Sequence, residues 1–157
     1  MIGMRAADAS IECRIRPARI GEAAALSELC FRSKQVWGYD DDFMAFCREP
    51  LRVKPEEIAA GNVWVAAAAD QSIVGVVALA PAGEPATLDL GWIRGGVGRL
   101  LLAHAIGKAR RRGATRLTIV ADPNAAAFYE RNGARLIGEA PSDAIPGRFV
   151  PLYEIVW

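Results

Sequence analysis

The apolar positions in the first part of the chain predict one strand followed by two helices. Apolar residues alternate over 11–15, which indicates a strand that Pro17 ends. Over 20–33 they recur at the spacing of an amphipathic helix. A second helix is predicted over about 40–48 because its first residues are aspartates, which favour a helix N-terminus.

The middle of the chain predicts an antiparallel meander of three strands. Two short apolar runs, 63–69 and 73–80, are separated by the polar residues 70–72, the pattern of a hairpin between buried strands. A third run, 86–93, follows a turn that contains Pro81 and Pro85. The three runs should therefore lie side by side in one sheet.

In the last third of the chain, strands and helices alternate. The pattern predicts a helix over 97–112, a strand over 116–121, a helix over 123–132 and strands around 135–138 and 149–156. The order β-α-α-β-β-β-α-β-α-β-β is typical of an α/β fold, specifically an α+β mixed sheet with helices on both faces.

Length and composition favour one globular domain over residues 11–157, preceded by a loose segment at 1–10. The chain has 157 residues, 52% hydrophobic and 24% charged. No apolar run approaches the roughly 20 residues of a membrane span, and the start lacks the apolar core of a signal peptide. A cytoplasmic protein without membrane contact is therefore expected.

Cysteine and histidine limit the possible chemistry. The three cysteines show no metal-ligand spacing and are expected to be reduced thiols. His104 is the only histidine, which argues against a histidine-based triad and against a multi-histidine metal site. No metal is expected.

Positive charge is concentrated in residues 90–121. The whole chain has 19 Lys and Arg against 18 Asp and Glu, yet this segment contains no carboxylate. Its seven cations are Arg94, Arg99, Lys108, Arg110, Arg111, Arg112 and Arg116. A bound anion is expected near the front of this segment, where the glycines lie.

A glycine turn joins the predicted strand over 86–93 to the helix that follows. Gly95, Gly96 and Gly98 let the main chain approach a phosphate, and the free N–H groups of the helix end favour an anion. Arg94 and Arg99 would add positive charge. The alternative is a tight turn without a ligand. The spacing matches neither a P-loop nor a dinucleotide fingerprint.

The segment Gly96-Val97-Gly98-Arg99 resembles the acyl-coenzyme A loop of the GNAT acetyltransferase superfamily. A second segment supports the resemblance: the stretch Ala121-Asp122-Pro123-Asn124-Ala125 is followed by Phe128-Tyr129-Glu130-Arg131-Asn132-Gly133-Ala134. Together with residues 33–39 and the C-terminal segment from residue 141, these motifs resemble a branch of the same superfamily whose members mostly have unknown substrates. One departure is the link between Trp92 and Gly95, which is shorter than is usual in the family.

This resemblance implies an N-acetyltransferase that uses acetyl-CoA and no metal. An amine attacks the thioester directly in a ternary complex, and Tyr129 is the implied general acid, with packing beside Phe128 as the alternative. The residues implied to bind the cofactor are Leu90, Trp92, Arg94, Gly95, Gly96, Val97, Gly98, Arg99, Asn124 and Phe128.

No single general base stands out. Asp89 in the predicted fourth strand is the nearest candidate, beside Glu84 and the run Asp40–Asp42. Trp37 and Tyr39 are candidates for the acceptor pocket, and core packing is the alternative for Trp37. The acceptor is expected to be a small-molecule or peptide amine. Homodimers are common in the family, but the sequence indicates no interface.

Two other functions compete with an enzyme. A nucleic-acid module would use the cations at 108–116, but the net charge is only +1 and no aromatic residue lies among them to stack on a base. A non-catalytic acyl-CoA sensor or interaction module is the second alternative, since a fold does not establish activity and no base is evident.

Overall fold

The chain forms a mixed sheet flanked by helices. The computed structural model describes residues 12–81, 83, 86–93 and 96–157, and of 89–93 it describes the backbone only. The strands are β1 (Cys13–Pro17), β2 (Val63–Ala68), β3 (Ile73–Leu79), β4 (Ala86–Ile93), β5 (Arg116–Val120), β6 (Arg135–Pro141) and β7 (Phe149–Val156). The helices are α1 (Ala23–Gln35), α2 (Asp41–Cys47), α3 (Pro55–Ala59), α4 (Gly98–Arg111) and α5 (Ala126–Arg131). Short 3-10 turns, Ile20–Glu22 and Pro123–Ala125, lead into α1 and α5.

The strand order is β1-β2-β3-β4-β5-β7-β6. Neighbours run antiparallel except β4 and β5, which are parallel. The predicted mixed α/β fold and its antiparallel meander are confirmed. The predicted order of elements omitted one helix, α3, because five residues are too few to show a helical period.

Two separate hydrophobic clusters hold α1 and α3 on one face of the sheet and α4 and α5 on the other. Val63 and Val65 of β2 belong to the cluster that contains α1 and α3. Their neighbours Trp64 and Ala66 belong to the cluster with α4 and α5. Side chains alternate along a strand, so the apolar run over β2 is buried on both faces. The prediction of helices on both faces is confirmed.

The parallel pairing of β4 and β5 ends early. It covers three pairs, the last of which is Leu88 with Ile119, although β4 continues to Ile93 and stays paired with β3. The register with β3 shifts at the same point, since Ala78 faces Leu90 and Leu79 faces Leu88. The residue between them, Asp89, is thus the extra residue of a β-bulge. From Asp89 onward, β4 has no strand partner on its β5 side among the described residues.

Candidate active site

The start of α4 is an uncapped helix N-terminus next to the end of β4. The helix begins at Gly98, its N-cap Val97 contributes no side-chain hydrogen bond, and the first turn has no acidic residue. Gly96 has a φ of 83°, in the left-handed region that favours glycine. The first N–H groups of a helix have no partner within it. This end can therefore bind an anion through its backbone.

The loop residues that the resemblance implies for cofactor binding differ in their exposure to solvent. Val97 and Gly98 are buried, whereas Gly96 and Arg99 are exposed. Gly98 has no side chain, so only main chain is present at this buried position. Arg94 and Gly95 lie outside the described residues, and the same holds for the side chains of Leu90, Trp92 and Asp89 in β4.

The cations at the far end of α4 have contacts of their own. The Lys108 ammonium and the Arg112 guanidinium lie 5.8 and 5.7 Å from the centre of the Trp64 ring. Arg112 Nη2 also donates to Asn62 Oδ1 at 2.7 Å. Lys108 is in the last turn of the helix, where positive charge interacts favourably with the helix dipole.

Tyr129 lies in α5 with 7% of its surface exposed. Its ring makes an edge contact with Phe128, with 5.2 Å between the ring centres. Burial raises the pKa of Tyr129 to about 12, and the negative charge of Asp122 acts in the same direction. The phenol therefore stays protonated at neutral pH, as a proton donor must.

Five side chains form a connected polar network just beyond the carboxyl end of β5. Its centre is Asp122, whose carboxylate accepts hydrogen bonds from Lys34 Nζ at 2.8 Å and from the Tyr39 hydroxyl at 2.9 Å. That hydroxyl in turn accepts from Asn124 Nδ2 at 3.0 Å and from Arg148 Nη2 at 3.2 Å. We call Lys34, Tyr39, Asp122, Asn124 and Arg148 the Asp122 network.

The carboxylate of Asp122 is fully occupied. Its second oxygen accepts from the backbone N–H and the side-chain amide of Asn124, at 2.8 and 3.0 Å. Burial by itself would raise the pKa of Asp122, but the hydrogen bond from Lys34 and the others outweigh it and hold that pKa below its ordinary value. Asp122 is therefore suited to fix its neighbours and unsuited to accept a proton.

Two aromatic rings support the cations of the Asp122 network. Tyr39 stacks on Phe43 of α2, with ring centres 4.0 Å apart and planes 8° apart. The Arg148 guanidinium lies 4.9 Å from the Phe43 ring centre and 5.5 Å from that of Tyr39. The Lys34 ammonium lies 5.4 Å from the Tyr39 ring centre. These contacts hold both cations against one aromatic surface.

The remaining predicted residues take varied positions. Trp37 follows α1 and is 47% exposed, so core packing does not explain it. Asp40 is the N-cap of α2 and accepts from the Phe43 N–H at 2.8 Å. Asp41 and Asp42 are exposed in the first turn of that helix. Glu84 lies outside the described residues.

Sequence reasoning did not identify three members of the Asp122 network as site residues: Lys34, Asp122 and Arg148. Asp122 carried a usable signal, because it comes two residues after the end of β5 and precedes Pro123. The two cations carried none, since they lie on segments far from β5 in the sequence. Within the described residues, no group of three or more His, Cys, Asp or Glu could hold a metal ion. None of the helices in those residues combines the length and the hydropathy of a membrane span.

Similar solved structures share this architecture. A PaiA N-acetyltransferase from Thermoplasma acidophilum, in complex with coenzyme A, has 17% sequence identity over 94% of this chain and 100% of that chain, with a TM-score of 0.73. A GCN5-related N-acetyltransferase from Rhodopseudomonas palustris has 19% identity over 94% and 98%, with a TM-score of 0.73. The putative acetyltransferase YncA from Salmonella typhimurium, with its cofactor acetyl-CoA, has 18% identity over 92% and 94%, with a TM-score of 0.63.

The sequence itself also matches a family model. No curated protein matches the chain significantly. Residues 26–134, which run from α1 to the end of α5, match the model of the acetyltransferase (GNAT) family. This span includes the glycine turn, the end of the β4–β5 pairing and Tyr129. The chain belongs to the GNAT family of acetyltransferases.

Proposed function

We propose that this protein transfers the acetyl group of acetyl-CoA to a primary amine, by direct attack within a ternary complex. The observation that carries the proposal is the early end of the β4–β5 pairing at Leu88, next to the uncapped start of α4. A slot between two strands and an anion-binding helix end suit an extended ligand with a phosphate group. The coenzyme A and acetyl-CoA bound in two of the similar structures support the same co-substrate here.

The chain's own residues fit such a ligand. The N–H groups from Gly96 to Arg99 would meet a bound anion without competition from an acidic residue in the first turn of α4, and the Arg99 side chain would add charge. On its β5 side, the backbone of β4 beyond Asp89 has no strand partner among the described residues and offers hydrogen bonds to an extended arm, and Leu90 and Trp92 are the residues we assign to it. We also assign Arg94, Gly95, Asn124 and Phe128 to the cofactor.

The bound thioester supplies an acyl carbonyl that an amine can attack. Tyr129 is the proposed proton donor to the departing thiolate, because its pKa of about 12 keeps it protonated. Asp89, the extra residue of the β4 bulge, is the proposed acceptor of the ammonium proton, directly or through water. Asp122 is excluded from that role by its own hydrogen bonds, and Trp37 and Tyr39 are assigned to the acceptor side.

The direct test measures binding and turnover separately. Calorimetric titration of the purified chain with coenzyme A should show saturable binding, and acetyl-CoA with a panel of primary amines should release free thiol. Binding without thiol release for any amine would favour a non-catalytic acyl-CoA module. No binding of coenzyme A, together with nucleic-acid binding that weakens steeply with salt, would contradict the proposal.

A further inference from the structure

A small cavity adjoins the Asp122 network. It has a volume of about 80 Å³ and lies between the carboxyl end of β5, the C-terminal end of α1 and the loop between β6 and β7. Among its lining residues are Lys34, Asp122, Ser142, Asp143 and Arg148. It is large enough for one small polar group or a few water molecules. Tyr39, which we assign to the acceptor side, bonds both Asp122 and Arg148 of this lining, so the cavity adjoins the proposed acceptor pocket.

The formal charges of the cavity lining balance, with Lys34 and Arg148 against Asp122 and Asp143, but Arg148 has no close ionic partner among the described residues. Lys34 is neutralised by Asp122 at 2.8 Å, and the two side chains are 19% and 13% exposed. Arg148 makes no ion pair with any described residue, and its one side-chain hydrogen bond within the described chain goes to the neutral Tyr39 hydroxyl. A guanidinium has five N–H donors, so most of the Arg148 donors remain for a ligand. Asp143 is exposed, and solvent screens its charge.

Arg148 is also held in place before any ligand binds. Its guanidinium lies against the stacked rings of Tyr39 and Phe43, and the backbone N–H of Arg148 donates to the Ile145 carbonyl at 3.2 Å. A cation fixed in this way loses little side-chain entropy on binding. The planar guanidinium matches a carboxylate, which it can bind through two parallel hydrogen bonds.

We propose that Arg148 binds a carboxylate of the acceptor, so that the preferred substrates are amines that also carry a carboxylate, such as amino acids. The Asp122 network then serves to position Arg148: Asp122 orients the Tyr39 hydroxyl, and this hydroxyl orients the guanidinium. The inference rests on the proposed function, because it assigns a substrate class to the same site.

The test compares amines that differ at the carboxylate, with kcat/KM expressed per concentration of unprotonated amine because amidation also lowers the pKa of the α-amino group. Amino acids and their carboxamides are assayed side by side for thiol release from acetyl-CoA by the wild-type chain. Loss of a charge-assisted hydrogen bond pair should lower kcat/KM for the carboxamides by about 10- to 100-fold. Equal rates, or a preference for the carboxamides, would overturn the inference while leaving the acetyltransferase proposal standing.

Variants at Arg148 test whether this residue causes the preference for acceptors with a carboxylate. Arg148→Gln should lower kcat/KM for carboxylate acceptors by about 10- to 100-fold through KM and leave the carboxamides nearly unchanged. Arg148→Lys should recover part of the loss, because it keeps the charge without the planar fork. Arg110→Gln, an exposed arginine on α4, is the matched control and should change neither series. An equal loss for both series would show that Arg148 is only structural.

A binding measurement separates this inference from the proposed function. Calorimetry with amino acids and carboxamides, in the presence of coenzyme A, requires no turnover. If no amine releases thiol but amino acids bind about tenfold or more tightly than their amides in an Arg148-dependent way, the acetyltransferase proposal fails and the carboxylate site stands. If thiol is released but neither binding nor rate depends on the carboxylate, the carboxylate site is wrong.

Discussion

The cofactor side and the acceptor side of the proposed site are built in opposite ways. The glycine turn and the start of α4 present backbone N–H groups from a few consecutive residues. The Asp122 network, which we place on the acceptor side apart from its cofactor-assigned member Asn124, instead joins side chains from four separate segments. Its hydrogen bonds link residues 83, 88 and 109 positions apart, in the pairs Tyr39–Asp122, Lys34–Asp122 and Tyr39–Arg148.

The difference has consequences for how each side tolerates change. A backbone site keeps its donors whatever the neighbouring side chains are, but it depends on the main chain being reachable. A side-chain network can be altered one group at a time, and each change leaves a partner unsatisfied. Substitutions on the cofactor side should thus affect binding of coenzyme A, whereas those on the acceptor side should affect substrate choice and stability.

The largest effect is expected from Gly98→Val. A branched side chain at this buried first residue of α4 would block the approach of a phosphate to several N–H groups. We expect the affinity for coenzyme A to fall by more than ~100-fold, measured by calorimetry. Gly107→Val, in the same helix, is the matched control, because a Cβ there meets no atom within 4 Å. Equal losses in both variants would contradict a backbone phosphate site.

Tyr129→Phe tests the chemistry that links the two sides. Removal of the proposed proton donor should lower kcat by about 100-fold and leave the dissociation constant of coenzyme A unchanged. Because the pKa of Tyr129 is raised to about 12, this tyrosine should cause no loss of wild-type activity between neutral pH and about pH 11. The measurements are steady-state kinetics over pH and calorimetry with coenzyme A.

The neighbouring Tyr153→Phe is the control for that change. Its ring lies 6.5 Å from the Tyr129 ring, and its hydroxyl donates to Glu130 at 2.6 Å. This variant should keep nearly all of kcat. If Tyr129→Phe turned over as fast as wild type, Tyr129 would be a packing residue, and another group would have to protonate the thiolate.

The two sides also differ in how well the sequence predicts them. Periodicity and glycine spacing predicted the turn and α4 because their information is local: Gly96, Gly98 and the absence of carboxylates stand together. The Asp122 network could not be predicted, since the position of Arg148 beside Tyr39 depends on how α2 and the β6–β7 loop meet. The short helix α3 was not predicted for another reason: its five residues are too few to show a helical period of apolar positions.

Asp122→Asn tests the acceptor side through stability. The change leaves Lys34, which is 19% exposed, without its counter-charge. We expect the free energy of unfolding to fall by roughly 2–3 kcal/mol at pH 7, measured by urea denaturation. Asp143→Asn, which lines the same cavity, is the control. Among the described residues Asp143 has no ion pair, so this variant should keep most of the stability.

The difference in unfolding free energy between wild type and Asp122→Asn should depend on pH in a definite direction. The pKa of Asp122 is lowered in the folded state, so its ionised form stabilises the fold at pH values above the ordinary value of 3.8. The advantage of wild type over Asp122→Asn should therefore be complete at neutral pH and be lost as pH falls through the lowered pKa. A difference that stayed constant down to pH 2 would mean that the carboxylate charge is not what stabilises the network.

The smallest effect is expected from Gly107→Ala, which compares the two glycines of α4. Gly107 lies inside the helix, where glycine costs backbone entropy, and an added Cβ meets open space. Gly107→Ala should therefore raise the free energy of unfolding by about 0.5–1 kcal/mol, or the melting temperature by roughly 2–4 °C, with coenzyme A affinity unchanged. Loss of stability would mean that the helix requires glycine here for close packing. Loss of coenzyme A affinity would extend the backbone site two turns beyond Gly98 and weaken the contrast between the two sides.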